Sequence, residues 1–252
     1  MKQETPTKKL NSTDQNTARL GFWVSILTTI SAMVSFAIAV TTAPARSGPN
    51  CPPLVEMGVV QSCLGYPFTD VAAYVPIEYI WMYPALLLAL LFVVLVICIN
   101  HFAPEEKKIT SQIALVFASI AAGVHSINYF IQLAVMQPSL LNGELEYLSL
   151  YSQYNPHGIF IALEDLGYFM MGLAFLFIAF LFVKRVKIDR AIRILFLIGG
   201  VIAVGGLFVT MLLHGMDLEY RYEVLSLASD WIVFIVTGIL LSVFFKRAER
   251  TA

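Results

Sequence analysis

The sequence predicts an all-α fold: a polytopic integral membrane protein whose six transmembrane helices form a bundle with both termini in the cytoplasm. Hydrophobic residues make up 58% of the 252 residues and charged residues only 13%, and the mean hydropathy is +0.77. Six apolar stretches reach the roughly 20 residues that a helix needs to cross a hydrocarbon core of about 30 Å. The composition excludes a disordered chain and a disulfide scaffold, and the net charge of -1 argues against a nucleic-acid-binding protein.

The six predicted helices, called span 1 to span 6 in chain order, cover about residues 20–42, 79–102, 110–136, 158–183, 192–214 and 227–245. They are continuous apolar runs and lack the alternating polarity of barrel strands, so we expect helices. Span 1 exceeds the apolar length typical of a signal peptide and is interpreted as a retained anchor. Residues 19–246 are assigned to the transmembrane domain, residues 1–18 to a disordered cytoplasmic tail and residues 247–252 to a cytoplasmic tail.

Lysine and arginine are unevenly distributed among the connections, which are the segments that join successive spans. Of the 16 such residues, the first, third and fifth connections hold only Arg46 and Arg221. Because cytoplasmic connections retain positive charge, both termini are predicted to be cytoplasmic, and a prokaryotic inner membrane is the expected location. Four basic residues of the fourth connection are expected to contact anionic lipids: Lys184, Arg185, Lys187 and Arg190.

Two of the three cysteines, Cys51 and Cys63, lie in the long first connection, which the charge pattern places outside. Oxidation is permitted there, and a disulfide closing a loop of this size contributes about 3 kcal/mol, so we predict the bond. The alternative is a pair of free thiols. Cys98 lies inside span 2 and is expected to be a small apolar residue without further role.

Small residues and one proline predict how the spans pack and bend. Span 1 carries a ridge of small residues, and span 5 contains two Gly-Gly pairs, at 199–200 and 205–206. Such residues let membrane helices approach closely. The alternative for span 5 is a broken helix, as in transporters.

Pro84 is expected to kink span 2. Four aromatic residues around it are expected to form an outer belt: Tyr74, Tyr79, Trp81 and Tyr83.

Span 4 carries two adjacent carboxyl groups, Glu164 and Asp165, inside an apolar run. An ionisable residue at this depth costs about 2.5 to 3.5 kcal/mol on insertion, so each is a candidate site residue. Tyr168 lies one turn further and is close enough to hydrogen-bond either of them.

Span 3 presents a polar stripe with helical spacing, formed by His125, Asn128, Tyr129 and Gln132. Antiparallel spans 3 and 4 bring this stripe and the span 4 carboxyl groups to overlapping depths, which predicts a pocket open to the outside. His214 and Tyr83 are expected to join it. Asp230 and Glu78 are weaker candidates for its rim, because helix capping and solvation explain them equally well. The alternative for the stripe is a hydrogen-bonded seam that holds the spans together.

Three functions remain open. The first is binding or transport of a small polar ligand, cation or proton in the outward-facing pocket. The second is a membrane-embedded enzyme that uses Glu164 and His125 as an acid-base pair on a lipid or isoprenoid head group. The third is a structural or assembly role without a ligand. We favour the first over an enzyme. The sequence predicts no metal site and no cofactor, and six spans without a convincing inverted repeat favour a homo-oligomer.

Overall fold

The computed structural model describes residues 12–42, 47–49, 51–59, 62–182 and 186–251. Within these residues the secondary structure is helical and contains no strand. Six helices are long and apolar enough to cross a membrane: span 1 Ser12–Thr42, span 2 Ile77–Phe102, span 3 Glu105–Asn142, span 4 Ile159–Ala179, span 5 Lys187–His214 and span 6 Arg221–Arg250. The protein is therefore an all-α, six-helix, multi-pass membrane protein, as predicted.

Both terminal helices extend further than the sequence predicted. Span 1 begins at Ser12, so residues 12–18 are helical and not a disordered tail, and residues 1–11 lie outside the described residues. The helix of span 6 continues to Thr251. Charged groups stabilise these extra turns. Asp14 lies in the first turn of span 1, where a negative charge interacts favourably with the helix dipole. Its carboxylate is 2.8 Å from Nε2 of His101. Glu249 pairs with Lys246 at 2.8 Å and lies 3.7 Å from Arg19.

Span 4 is the most enclosed helix of the bundle. It packs against spans 3, 5 and 6, while span 1 packs against spans 2 and 6. Close approach between spans 1 and 6 depends on small residues: Gly238 faces Thr29 and the backbone of Ser25. Four residues of the predicted small-residue ridge of span 1 are buried in the bundle: Ser25, Thr28, Ala32 and Ser35.

The helix of span 5 is continuous through both glycine pairs. Gly199 faces Val233 of span 6, and Gly200 faces Leu176 of span 4. These glycines therefore serve close helix packing, and the alternative of a broken helix does not hold.

The kink predicted at Pro84 is wrong. The regular helix of span 2 begins at Met82, after a 3-10 turn at Ile77–Tyr79, so Pro84 lies in its first turn. Backbone N–H groups in the first turn of a helix have no intrahelical acceptor, so a proline there removes no hydrogen bond and need not bend the helix. The aromatic belt is also only partly correct, because Tyr79 and Trp81 are buried in the bundle.

The first, third and fifth connections meet at one end of the bundle, which we call the outer end after its predicted orientation. The predicted disulfide is confirmed: Cys51 and Cys63 are bonded, with their Cα atoms 5.7 Å apart. Cys51 begins a short helix, Cys51–Glu56. At the opposite end, Lys187 and Arg190 are exposed at the start of span 5, whereas Lys184 and Arg185 lie outside the described residues. The lipid contact assigned to these basic residues stays a prediction.

Candidate functional site

A cavity of about 520 Å³ lies at the outer end of the bundle. Its walls come from spans 1, 2, 4 and 6, and the outer connections contribute further lining residues. Most of the lining is apolar, but three carboxyl groups reach it, those of Glu78, Glu164 and Glu223. Large, mostly apolar cavities with a few polar groups are typical of ligand sites, so we treat it as the candidate site.

Glu164 is the most deeply buried of the three carboxyl groups and has no exposed surface. Its Oε1 accepts a hydrogen bond of 2.9 Å from Oη of Tyr129, and that hydroxyl lies 3.4 Å from Oη of Tyr168. Oε2 of Glu164 has no hydrogen-bond partner among the described residues. Glu223 lines the same cavity and interacts electrostatically with Glu164.

Local structure explains why Glu164 reaches the cavity. Span 4 begins at Ile159, after the extended Gly158, and Glu164 lies five residues further, about 8 Å along the axis. Phe160 and Glu164 are four residues apart and therefore share a helix face. Both line the cavity.

The outer connections form a hydrogen-bonded rim above the cavity. Tyr154, from the third connection, donates a hydrogen bond of 2.5 Å from its hydroxyl to Oε2 of the buried Glu78. Ser47, from the first connection, donates to the carbonyl oxygen of Tyr154 and lies 2.8 Å from the hydroxyl of Tyr220. Tyr220 in turn donates to the carbonyl oxygen of Gln153 at 3.2 Å. Three connections that are distant in sequence are thus fixed around one opening.

Asp165 and Asp230 are two further buried carboxyl groups of spans 4 and 6. Asp165 interacts electrostatically with Glu223, and Asp230 with Tyr168. Oδ2 of Asp230 has no hydrogen-bond partner among the described residues. The suggestion that capping explains Asp230 is therefore incomplete: span 6 begins at Arg221, so Asp230 lies two and a half turns inside it.

The residues in the polar stripe of span 3 have two different roles. Nδ2 of Asn128 donates to the carbonyl oxygen of Phe160 at 3.0 Å, and Nε2 of Gln132 donates to that of Tyr151 at 2.7 Å. The first bond joins span 3 to span 4, and the second joins span 3 to the third connection. Asn128 and Gln132 therefore have the structural role that was the alternative for the stripe. Tyr129 differs, because its hydroxyl reaches the Glu164 carboxyl group.

His125 does not form the predicted pair with Glu164. Its imidazole is buried, stacks on Tyr129 and lies beside Tyr168, and neither ring nitrogen has a hydrogen-bond partner among the described residues. Gly167 provides the space for the ring, since a Cβ there would lie 2.6 Å from Cε1. The enzyme hypothesis required acid and base within hydrogen-bond reach, and that geometry is not present.

Two other predicted residues do not belong to the cavity. Tyr83 is 59% exposed, because the helix face that begins with the buried Met82 points inward and turns Tyr83 outward. His214 is the exposed last residue of span 5, a helix that contributes no residue to the lining.

Sequence reasoning missed Glu223 and Trp81, which both line the cavity. Glu223 was left outside the bundle because span 6 was predicted to begin at residue 227. The signal for it was helical spacing, since Glu223, Leu227 and Asp230 recur at i, i+4 and i+7. Trp81 was assigned to the membrane interface, where aromatic residues are common.

A second group of polar side chains lies on the surface of the outer end. His157, Asp217 and Glu219 each offer a potential metal ligand, and these atoms lie within 4.8 Å of one another. However, Nε2 of His157 is 2.8 Å from Oδ1 of Asp217, and Glu219 pairs with Arg221. Protein partners thus account for all three groups, and we assign no metal site to them.

The bundle core below the cavity is filled by aromatic rings. Three buried phenylalanines from spans 2, 4 and 6 have ring centroids 5.0 to 5.6 Å apart: Phe92, Phe175 and Phe234. Phe92 and Phe175 lie eleven residues from the nearest lining residue of their helix, and Phe234 lies six residues from Ala228, which is about 16 Å and about 9 Å of helix. This phenylalanine layer separates the cavity from the opposite end.

Comparison of the chain with models of known protein families, with curated proteins and with solved structures finds no match.

Proposed function

We propose that the protein binds a small cation or cationic polar ligand in the outer cavity, with the carboxyl group of Glu164 as its main attachment point. The observation that carries this proposal is the position of Glu164. Its side chain is fully buried in the bundle, lines the cavity and is held by the Tyr129 hydroxyl.

Electrostatics explains why this carboxyl group favours a cation. A buried carboxylate is strongly unfavourable without a compensating positive charge. A ligand that brings positive charge to Glu164 would therefore bind favourably, and the hydrogen bond from Tyr129 fixes the carboxyl group that receives it.

Binding requires a smaller conformational change of this fold than transport does. Passage through the bundle would require the phenylalanine layer to separate, because it fills the core between the two ends. The cavity can exchange ligand with its own side without any such motion. We therefore propose binding as the activity, with transport as an extension that needs a second conformation.

The test is ligand-dependent stability of the purified protein. A ligand that binds only the folded state at 100 times its Kd stabilises it by about 2.7 kcal/mol. Unfolding would be measured in neutral detergent with sodium, tetramethylammonium and tetraphenylphosphonium chlorides at constant ionic strength. We expect at least one of these cations to stabilise the wild type and to lose its effect in Glu164→Gln.

The matched control is Glu146→Gln, which removes an exposed carboxyl group of the third connection. It should respond to the cations as the wild type does. If no cation stabilises the wild type and Glu164→Gln merely unfolds more easily, Glu164 is part of a structural seam and the proposal is wrong.

A further inference from the structure

The outer cavity extends between the outer ends of spans 1 and 6. Nearer the opposite end of the bundle these two helices touch, since a Cβ at Gly238 would lie 2.9 Å from the carbonyl oxygen of Ser25. Further outward, the rings of Phe36 and Trp231 pack with their centroids 5.8 Å apart. Beyond that ring pair, residues of both helices line the cavity. The cavity therefore occupies the place where the contact between the two helices would otherwise continue.

Val40 of span 1 and Val224 of span 6 form the boundary between the cavity and the bilayer. Both valines line the cavity, yet Val40 is 63% exposed and Val224 is 52% exposed. Two exposed apolar neighbours, Ala37 and Leu225, continue this surface along each helix. Lipid tails are as apolar as leucine, so such a surface on a membrane-spanning helix adjoins hydrocarbon. A lipid chain can thus reach the cavity by displacing two valine side chains.

The aqueous side of the cavity is tied together by hydrogen bonds. Ser47 of the first connection donates to the carbonyl oxygen of Tyr154, and Tyr220 of the fifth connection donates to that of Gln153 at 3.2 Å. A ligand that arrives from water has to pass these connections. Valine side chains form no hydrogen bonds, so the side between spans 1 and 6 opens more readily than the rim does.

Polarity changes with depth in the cavity as it does in a leaflet. The hydroxyl groups of the rim lie outermost, and the lining residues of spans 1 and 6 below them are apolar except for Glu223. An amphiphile in the adjoining leaflet has the same order, with its polar end at the surface and its chain toward the membrane centre. The cavity volume of about 520 Å³ falls within the range of about 300 to 1,000 Å³ that holds drug-sized molecules, so it suits one hydrocarbon chain and not a two-chain phospholipid.

From these observations we infer that the cavity opens to the bilayer between spans 1 and 6 and takes up the hydrocarbon chain of a single-chain amphiphile. The polar end of that amphiphile lies at the hydrogen-bonded rim. This inference rests on the proposed function in one respect, that the outer cavity is the ligand site. It assigns the apolar part of the ligand and its route of entry, and it does not depend on the charge of any carboxyl group.

The experiment uses Trp81 as a reporter, because its buried side chain lines the cavity. The other two of the three tryptophans are replaced by Trp23→Phe and Trp231→Phe. The full-length protein would be placed in phosphatidylcholine nanodiscs with increasing amounts of a dibrominated fatty alcohol, whose bromine atoms quench tryptophan fluorescence on contact. We expect the Trp81 fluorescence to fall at least twofold and to saturate, relative to nanodiscs with the same alcohol without bromine.

A variant that retains only Trp23 measures direct contact with the bilayer. Trp23 is 57% exposed on span 1 and does not line the cavity. Its fluorescence should fall in proportion to the bromine content of the nanodisc without saturating. The comparison separates a chain bound in the cavity from bulk lipid around the bundle.

Three alanine-to-phenylalanine variants locate the path of the chain. Ala39 and Ala228 are half-buried and line the cavity from spans 1 and 6. Ala39→Phe should fill part of the opening and reduce the quenching of Trp81 by at least half, and Ala228→Phe provides the same measurement from the other helix if the first variant does not fold. Ala37→Phe, at an exposed position outside the lining, is the matched control and should leave the quenching unchanged.

The outcomes separate this inference from the proposed function. Quenching of Trp23 without quenching of Trp81 would overturn the inference. Equal quenching of Trp81 in Ala37→Phe, Ala39→Phe and Ala228→Phe would also overturn it, since the chain would then arrive by another path. Because the alcohol is uncharged, stabilisation by cations without quenching of Trp81 would leave the proposed function intact. Quenching of Trp81 without any response to cations would overturn the proposed cation and retain the amphiphile.

Discussion

The contact between spans 1 and 6 can be tested by adding one methyl group. An alanine Cβ at Gly238 would lie 2.2 Å from Oγ1 of Thr29 and 2.9 Å from the carbonyl oxygen of Ser25. Rotation of Thr29 would relieve the first clash at the cost of its 3.0 Å hydrogen bond to Ser25. The second clash is with backbone and persists. Because overpacking a close contact typically costs about 1 to 3 kcal/mol, we expect Gly238→Ala to lower the free energy of unfolding by that amount.

The assay is reversible unfolding of the purified protein in mixed micelles with increasing sodium dodecyl sulfate. Gly205→Ala is the matched control, since its Cβ would meet nothing within 4 Å and alanine is the better helix former by up to about 1 kcal/mol. Adding Thr29→Ala removes one of the two clashes, so the double variant should be more stable than the sum of the single effects. Equal unfolding curves for Gly238→Ala and Gly205→Ala would refute the close approach of spans 1 and 6.

Three further predictions concern the packing of His125, the disulfide of the first connection and the orientation of the C-terminus. Gly167→Ala would place a methyl group 2.6 Å from the His125 ring and should cost about 1 to 3 kcal/mol of unfolding free energy, whereas Gly123→Ala, in open space, should not destabilise the fold; equal stabilities would contradict the packing of His125. Replacing both Cys51 and Cys63 with serine should remove about 3 kcal/mol of restraint and accelerate hydrogen exchange in residues 51–59, and unchanged exchange would show that the loop is ordered without the bond. A green fluorescent protein fused to the C-terminus should fluoresce and alkaline phosphatase at the same place should be inactive; the opposite result would invert the predicted orientation.

The architecture was predictable because each of its determinants is local in the sequence. The length and polarity of an apolar run decide whether a helix crosses the membrane, and no distant residue is needed to recognise it. The Cys51–Cys63 pair was predictable for a related reason, since the two residues share one short connection. Helix ends were less predictable, because the turns beyond the apolar run of span 1 depend on contacts such as that between Asp14 and His101.

The site could be predicted in part. Tyr129 and Glu164 were recognised as polar residues at overlapping depths in antiparallel spans, and their hydroxyl and carboxyl groups do meet. The predicted partner His125 does not meet Glu164, because helical spacing defines a shared face but not which side chain of that face reaches across. The His125 ring stacks on Tyr129, one turn along the same helix, instead of reaching Glu164.

The sequence by itself determined the number of membrane-spanning helices, the polar stripe of span 3 and the carboxyl groups of span 4, because apolar length and helical periodicity are properties of neighbouring residues. Only the tertiary structure decided that Glu223 lines the same cavity as Glu164, that Trp81 turns inward and that His214 and Tyr83 stay outside the cavity. Those outcomes depend on the rotation of each helix about its axis and on which spans are neighbours. Both are set by packing between residues that are far apart in the chain.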